Sequence, residues 1–317
     1  MSNASSDFVV TTEHRRFAEF CEACRRYRYI GLCYGSPGVG KTLSARRYAN
    51  WTAIEASLPA RDASTEALTT LLESHTVFST PPVVNTPAQV ERDIGGLRSD
   101  LRAMLVEDRE RVQRAHLDEL RQQERAAEEE RQRRLFTELD WYADPPPEGL
   151  KKPESRWVPI SIAYFHEIQK IADPTTLVII DEADRLKVSA LEQVRDIFDK
   201  GGIGMVLIGM PGLEKGLSRY PQLYSRVGFV HAFRPLSAAQ MRKLLQQKWV
   251  PAGVEFPEEG VVDEEVLAAI IRVTGGNFRL LHRLMTQIAR LVEINALQTV
   301  TREVVEAARE SLVIGTS

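Results

Sequence analysis

Cysteine is scarce in this sequence: Cys21, Cys24 and Cys33 are the only three among 317 residues. A low, odd count excludes a disulfide framework and fits a reducing compartment. Cys21-Glu22-Ala23-Cys24 has the spacing of half a zinc site, but no second pair completes four ligands, so core packing is the reading for these thiols. An excess of one charge is also missing. Lys and Arg number 41 against 44 Asp and Glu, a formal net charge of −3. That excludes a uniformly basic nucleic-acid coat, although a local basic face still suffices to contact phosphates. No apolar run reaches the roughly 18–20 residues that cross a bilayer. Met1 to Asp7 lack the basic-then-apolar layout of a signal peptide. A cytoplasmic protein with no membrane partner is therefore expected. No internal repeat is visible, and 43% hydrophobic content over this length supports one large core with a smaller satellite domain.

What is present is an alternation of short apolar runs and amphipathic stretches. Phe17, Phe20, Cys21 and Cys24 recur at spacings of three and four, predicting a helix over 12–28. Tyr29 to Tyr34 reads as a buried strand, followed by a glycine-rich turn and a helix through Trp51. Thr76-Val77-Phe78 is a second strand, and Thr86-Pro87 starts a helix with Thr86 as N-cap and Pro87 at its first position. From Glu107 to Arg134 the chain is dominated by Arg, Glu, Asp and Gln, with opposite charges three or four apart. This predicts a long exposed helix or helical hairpin, ended by Asp144-Pro145-Pro146-Pro147-Glu148-Gly149; it reads as a solvated spacer or as a partner- or DNA-contacting arm. Ser161 to Ile171 and Leu186 to Lys200 read as helices. Leu177 to Ile180, Gly204 to Gly209 and Val227 to Phe233 read as further strands. Alternating strands and helices imply a parallel α/β sheet. After Pro235 the texture is helical, with Ser237, Asp263, Asn277 and Thr301 as N-caps.

The chemistry concentrates at two places. Gly35-Ser36-Pro37-Gly38-Val39-Gly40-Lys41-Thr42 satisfies G-x-x-x-x-G-K-[ST] at every specified position, with a strand before and a helix after. Glycines let several backbone N–H groups turn towards a triphosphate, and the helix adds the positive end of its dipole. Lys41 is expected to reach the β- and γ-phosphates and Thr42 to ligate Mg²⁺; Leu43 follows directly on the helix. The second place is Leu177-Val178-Ile179-Ile180-Asp181-Glu182, an apolar strand ending in two acids at the carboxyl edge of the sheet. Asp181 suits the Mg²⁺ shell, and Glu182 suits a general base that polarises water. Asp181-Glu182-Ala183-Asp184 also spells a helicase box, but no second helicase core follows. His166-Glu167 begins a zinc-protease motif that Lys170 breaks. Arg25, Arg26, Arg28, Arg46 and Arg47 form a basic concentration, read as a solvated face or as a DNA-backbone contact.

These motifs, with the strand Gly204–Gly209 and a helical C-terminal quarter in the same order, resemble an AAA+ ATPase over almost the whole chain apart from about Glu107 to Trp157. The resemblance implies a P-loop α/β core over 1–234, carrying a charged helical insertion at about 107–157, and a small all-helical lid over 235–317. It also implies roles. Thr274-Gly275-Gly276-Asn277-Phe278-Arg279 is similar to the sensor 2 motif, in which Arg279 contacts the γ-phosphate. Tyr224-Ser225-Arg226 is similar to the arginine-finger region, with Arg226, or alternatively Arg219, reaching a neighbouring subunit's ATP. One departure stands out: the sensor 1 position, usually Asn, Thr or Ser, is occupied by Met210 after Gly209, and methionine cannot orient water by a hydrogen bond.

The segments Phe78–Pro82, Thr86-Pro87 and Ile208–Leu213 resemble the MuB- and TnsC-like transposition regulators of the origin-recognition-like clade. That resemblance implies an ATPase using ATP and Mg²⁺, ATP-dependent homo-oligomers (rings or filaments) on the backbone of duplex DNA, and a transposase or other recombination protein as partner. Two other readings stay open. A replication-type helicase loader or origin-binding ATPase needs an appended DNA-reading module, and the residues after Pro235 are nearly all taken by the lid. A nucleotide-switched signalling or defence ATPase without DNA binding would use the charged arm as its partner surface.

Overall fold

The computed structural model describes residues 8–58, 65–138, 171–246 and 263–312. Five strands, β1 (Ile30–Tyr34), β2 (Thr76–Ser79), β3 (Leu177–Ile180), β4 (Gly204–Gly209) and β5 (Val227–Ala232), form one sheet in the order β2-β3-β4-β1-β5. Every pairing is parallel. The sequence explains this: β3 and β4 are apolar without alternation and buried along their whole length, as strands covered on both faces must be. β5, at the edge, alternates half-buried and exposed residues. The predicted strands are all found. β4 separates β1 from β3, so the two acids do not lie on the strand adjacent to the P-loop strand. The chain leaves β1 in one direction for β2 and later returns to its other side as β5, which opens a crevice at the carboxyl ends of β1 and β4.

Helices follow the predicted pattern with some changes of extent. α1 (Thr12–Tyr27) is capped by Thr11, whose hydroxyl accepts the His14 N–H at 3.1 Å, and it buries Phe17, Phe20, Cys21 and Cys24. All three cysteines are free and buried. The single helix expected after the glycine-rich turn is two, α2 (Lys41–Tyr48) and α3 (Trp51–Ser57), because Asn50 adopts a left-handed φ of 49° that ends the first. α4 (Thr65–Ser74) precedes β2. α5 (Pro87–Glu138) is one helix of 52 residues, started as expected by Pro87 behind Thr86, whose hydroxyl accepts from Gln89 N–H at 3.2 Å. The expected helix over 161–171 and the expected stop at 144–149 fall outside the described residues. A 3₁₀ turn (Ala183–Arg185) and α6 (Val188–Gly201) follow β3, and α7 (Leu213–Leu217) and α8 (Pro221–Tyr224) follow β4.

The C-terminal helices are α9 (Ala238–Gln246), α10 (Glu264–Thr274), α11 (Phe278–Ile294) and α12 (Arg302–Glu310). Ser237 closes a reciprocal box with Gln240, and Asp263 and Asn277 cap α10 and α11 through side-chain oxygens. Thr301 sits at the cap position of α12 without a capping bond from its side chain. These helices share their own core of Met241, Val266, Ile270, Leu281, Leu284 and Ile288. Each such residue stabilises the packing by about 1.5–3 kcal/mol.

Two compact units divide the chain. One comprises Met1–Thr52, Ser74–Gly95 and Thr175–Ser317; the other comprises Ala53–Glu73 and Gly96–Pro174. In the second, Leu71, Leu101 and Met104 are buried, and Arg98 is paired with Asp173 at 2.6 Å. Further along α5 the surface is solvated and laced with pairs such as Arg111–Asp108 and Arg114–Glu110. No described helix is long and apolar enough to cross a membrane.

Candidate nucleotide-binding site

The P-loop leaves the carboxyl end of β1 and turns into α2. Gly38 has a φ of +80°, and a Cβ there would lie 2.5 Å from Asn277 Oδ1 and 2.7 Å from Arg279 Cβ. Only glycine permits that turn with the start of α11 so close. Gly40, with φ 105°, occupies the N-cap of α2 without a side chain to block its free N–H groups. Lys41 Nζ donates to the carbonyls of Gly35 at 2.6 Å and Ser36 at 3.0 Å, so the ammonium is held under the loop. Burial lowers the pKa of Lys41, while Cys33, Asp181 and Asp184 pull it back up.

Asp181, 3% exposed, follows β3 and receives the Thr42 hydroxyl on Oδ2 at 2.6 Å. Its other oxygen accepts the Glu182 N–H at 2.9 Å. The start of α2 thus bridges the width of β4 and brings hydroxyl and carboxylate together, two oxygen donors of the kind a small hard cation takes alongside phosphate oxygens. The residues fit Mg²⁺ in this respect. Glu182 has a left-handed φ of 53°, and its carboxylate is ion-paired with Arg185. Arg185 also donates to the Pro81 carbonyl at 3.3 Å.

These groups line a cleft of about 520 Å³, together with Pro37, Gly38, Leu43, Asp184, Met210 and Arg279. That volume lies within the range of small-molecule sites. Of the remaining P-loop residues, Val39 is buried at 2% exposure in the core, and Gly35 packs on the Phe233 carbonyl. Arg226 does not line the cleft. Its guanidinium forks onto Asp199 with two bonds of 2.9 Å and donates to the Gln222 carbonyl. Arg219 is exposed, and its side chain has no ion-pair partner among the described residues.

Besides the Glu182–Arg185 pair, three features of the site were not read from the sequence. Asp184 Oδ1 accepts the Met210 N–H at 3.1 Å, so the residue at the sensor 1 position is held through its backbone while its side chain is 41% exposed. A Cβ at Gly209 would lie 2.5 Å from that same oxygen. His282 and Arg283, one turn beyond Arg279 on α11, also face the cleft. Their spacing of three and four from Arg279 was the available signal.

A glycine-rich turn, its lysine and a hydroxyl–carboxylate pair at the carboxyl edge of a parallel sheet define the P-loop ATPase fold. The AAA domain family matches residues 24–138 and 149–217. The chain belongs to that family. It is 37% identical over 314 residues, 98% of each chain, to a "Potential ATP-binding protein" of Staphylococcus aureus. Over 120 residues, 36% of this chain and 39% of the relative, it is 33% identical to the Mu-like prophage FluMu DNA transposition protein B of Haemophilus influenzae. Among solved structures it is similar to Cdc6p from Pyrobaculum aerophilum, with TM-score 0.52 and 14% identity, covering 100% of this chain and 71% of that one. The Aeropyrum pernix ORC2 protein in its ADPNP–ADP complexes gives TM-score 0.50 and 15% identity, over 98% and 70% of the two chains. At these identities the likeness is one of fold.

Proposed function

We propose that the chain is an ATP- and Mg²⁺-dependent ATPase that oligomerises on duplex DNA and regulates DNA transposition. The nucleotide part rests on one observation, the 2.6 Å Thr42–Asp181 contact beside the Lys41 ammonium. Lys41 and the P-loop N–H groups bind the triphosphate, and Thr42 and Asp181 would hold Mg²⁺, which would neutralise phosphate charge. Glu182 takes a proton from the attacking water, and Arg185 positions its carboxylate. Arg279 stands on the lid side of the cleft, where a cation stabilises charge on the transferring phosphoryl group. Asp184 fixes the tip of β4 and takes the place of the missing sensor 1 side chain. A cation from a neighbouring protomer, Arg226 or Arg219, completes the site in the oligomer. In this reading residues 1–234 act as the core, with the insertion at about 107–157, and 235–317 as the lid.

The finer assignment to transposition is supported by the partial similarity to the DNA transposition protein B. Two measurements test the proposal. In a nucleotide-binding titration, Lys41→Ala should weaken ATP affinity about ten- to hundredfold, the value of one or two charge-assisted bonds. Glu182→Gln should keep binding while turnover falls by about 10²–10⁴. A Lys41→Ala protein that binds and hydrolyses ATP normally sinks the nucleotide reading. Electron microscopy with duplex DNA and a non-hydrolysable ATP analogue should show rings or filaments; dispersed protomers would remove the DNA and transposition part.

A further inference from the structure

A second cleft opens at the amino-terminal edge of the sheet, the end opposite the P-loop. It encloses about 230 Å³ and is lined by Arg25, Arg26, Arg28, His75, Thr176 and Gly202. No carboxylate lines it. Arg25 is paired with Glu22, but neither Arg26 nor Arg28 has an acidic partner among the described residues. Arg26 lies over the Tyr27 ring at 5.6 Å, and Tyr27 and Tyr29, flanking Arg28, are 57% and 46% exposed.

The backbone is informative as well. Arg28 closes α1 in a left-handed conformation, φ 53°, where glycine is the residue with least strain. His75, on the other wall, is left-handed too, with φ 48°. Two non-glycine residues held in this region on one cleft mark a place where side chains are kept at a conformational cost. The attraction of arginines to a helix C-terminus accounts for Arg25 and Arg26 in the last turn of α1. It does not account for arginine in place of glycine at the left-handed C-cap, Arg28.

We propose that this cleft is a binding site for the phosphodiester backbone of duplex DNA, with Arg26 and Arg28 as the phosphate-binding groups. Guanidinium groups meet phosphate oxygens through paired, charge-assisted hydrogen bonds. The cleft offers little to read a base edge, so binding there is independent of sequence. The site faces away from the nucleotide, so DNA and ATP are held at once. This inference rests on the proposal that the protein binds DNA, and it locates that binding.

The test is fluorescence anisotropy of the full chain with a short labelled duplex and a non-hydrolysable ATP analogue, over a range of salt. The double variant R26A/R28A should bind at least roughly tenfold more weakly at low salt. Its plot of log affinity against log salt should be shallower by about 2, near 0.9 for each phosphate that is no longer neutralised. Arg28→Gly is the second variant: glycine suits the left-handed backbone, so its thermal midpoint should hold or rise while DNA affinity falls. Arg28→Lys should keep most of the salt slope. ATP turnover of all three, measured without DNA, should match the parent. If the parent binds DNA and the variants match it in affinity and slope, the cleft is not the site, although DNA binding stands. If the parent hydrolyses ATP but ignores duplex DNA, both the site and the DNA reading fail. Inorganic phosphate that displaces the duplex at low millimolar concentration would show a small-anion site and overturn the assignment.

Discussion

Gly209 and Asp184 show how a site is completed by residues with no motif of their own. The Asp184 carboxylate holds the Met210 N–H because Gly209 leaves room for it. Gly209→Ala would press a methyl carbon to 2.5 Å from Asp184 Oδ1 at the tip of a buried strand. The expected cost is about 1–3 kcal/mol of stability, read by urea unfolding, with a fall in ATP turnover as Asp184 is displaced. Wild-type stability and turnover in that variant would separate Asp184 from the site. Lys41, Thr42 and Asp181 were legible in the sequence because their spacing encodes a strand, a turn and a strand tip. Asp184 and Arg185 were not, since their placement depends on the left-handed turn at Glu182 and on which strand neighbours β3.

At the scale of elements, caps carried most of the legible information. Thr86 with Pro87, Ser237, Asp263 and Asn277 each mark a helix start because a side-chain oxygen there satisfies an N–H that the helix leaves free. Less legible was the break between α2 and α3, where a single left-handed Asn50 interrupts a good helical pattern. The extent of α5 was also hidden: it runs through Gly95-Gly96, although glycine is a poor helix former. Both glycines are exposed, and a Cβ at either meets no atom within 4 Å. The division between the two compact units falls between them. Gly95→Ala and Gly96→Ala should each stabilise the helix by up to about 1 kcal/mol, measured by chemical denaturation. A loss of stability would show that the glycines answer a steric demand after all.

For the whole molecule, the strand order settled what spacing left open: β4 lies between the P-loop strand and the acids, and the crevice forms where the chain reverses direction across the sheet. The two arginines considered for action across a subunit boundary differ in their surroundings. Arg226 is forked onto Asp199, each about a third exposed, and Arg226→Ala should cost about 1 kcal/mol of stability after solvent screening. Arg219→Ala should leave thermal stability unchanged and lower ATP turnover only at protein concentrations where protomers associate. Turnover of the Arg219→Ala protein that tracks the parent at every concentration would leave Arg226 to fill that role.

Asn277 does two jobs with one side chain. Its oxygen caps α11, and its amide nitrogen donates to the Pro37 carbonyl at 2.8 Å, while the Arg279 N–H reaches the Gly38 carbonyl at 3.1 Å. The P-loop and the start of α11 are therefore tied together by two hydrogen bonds. Any change of shape in the loop would be passed through those two bonds to the start of α11, a helix of 17 residues. Through them, a partner resting on α11 would register a filled cleft without touching what fills it.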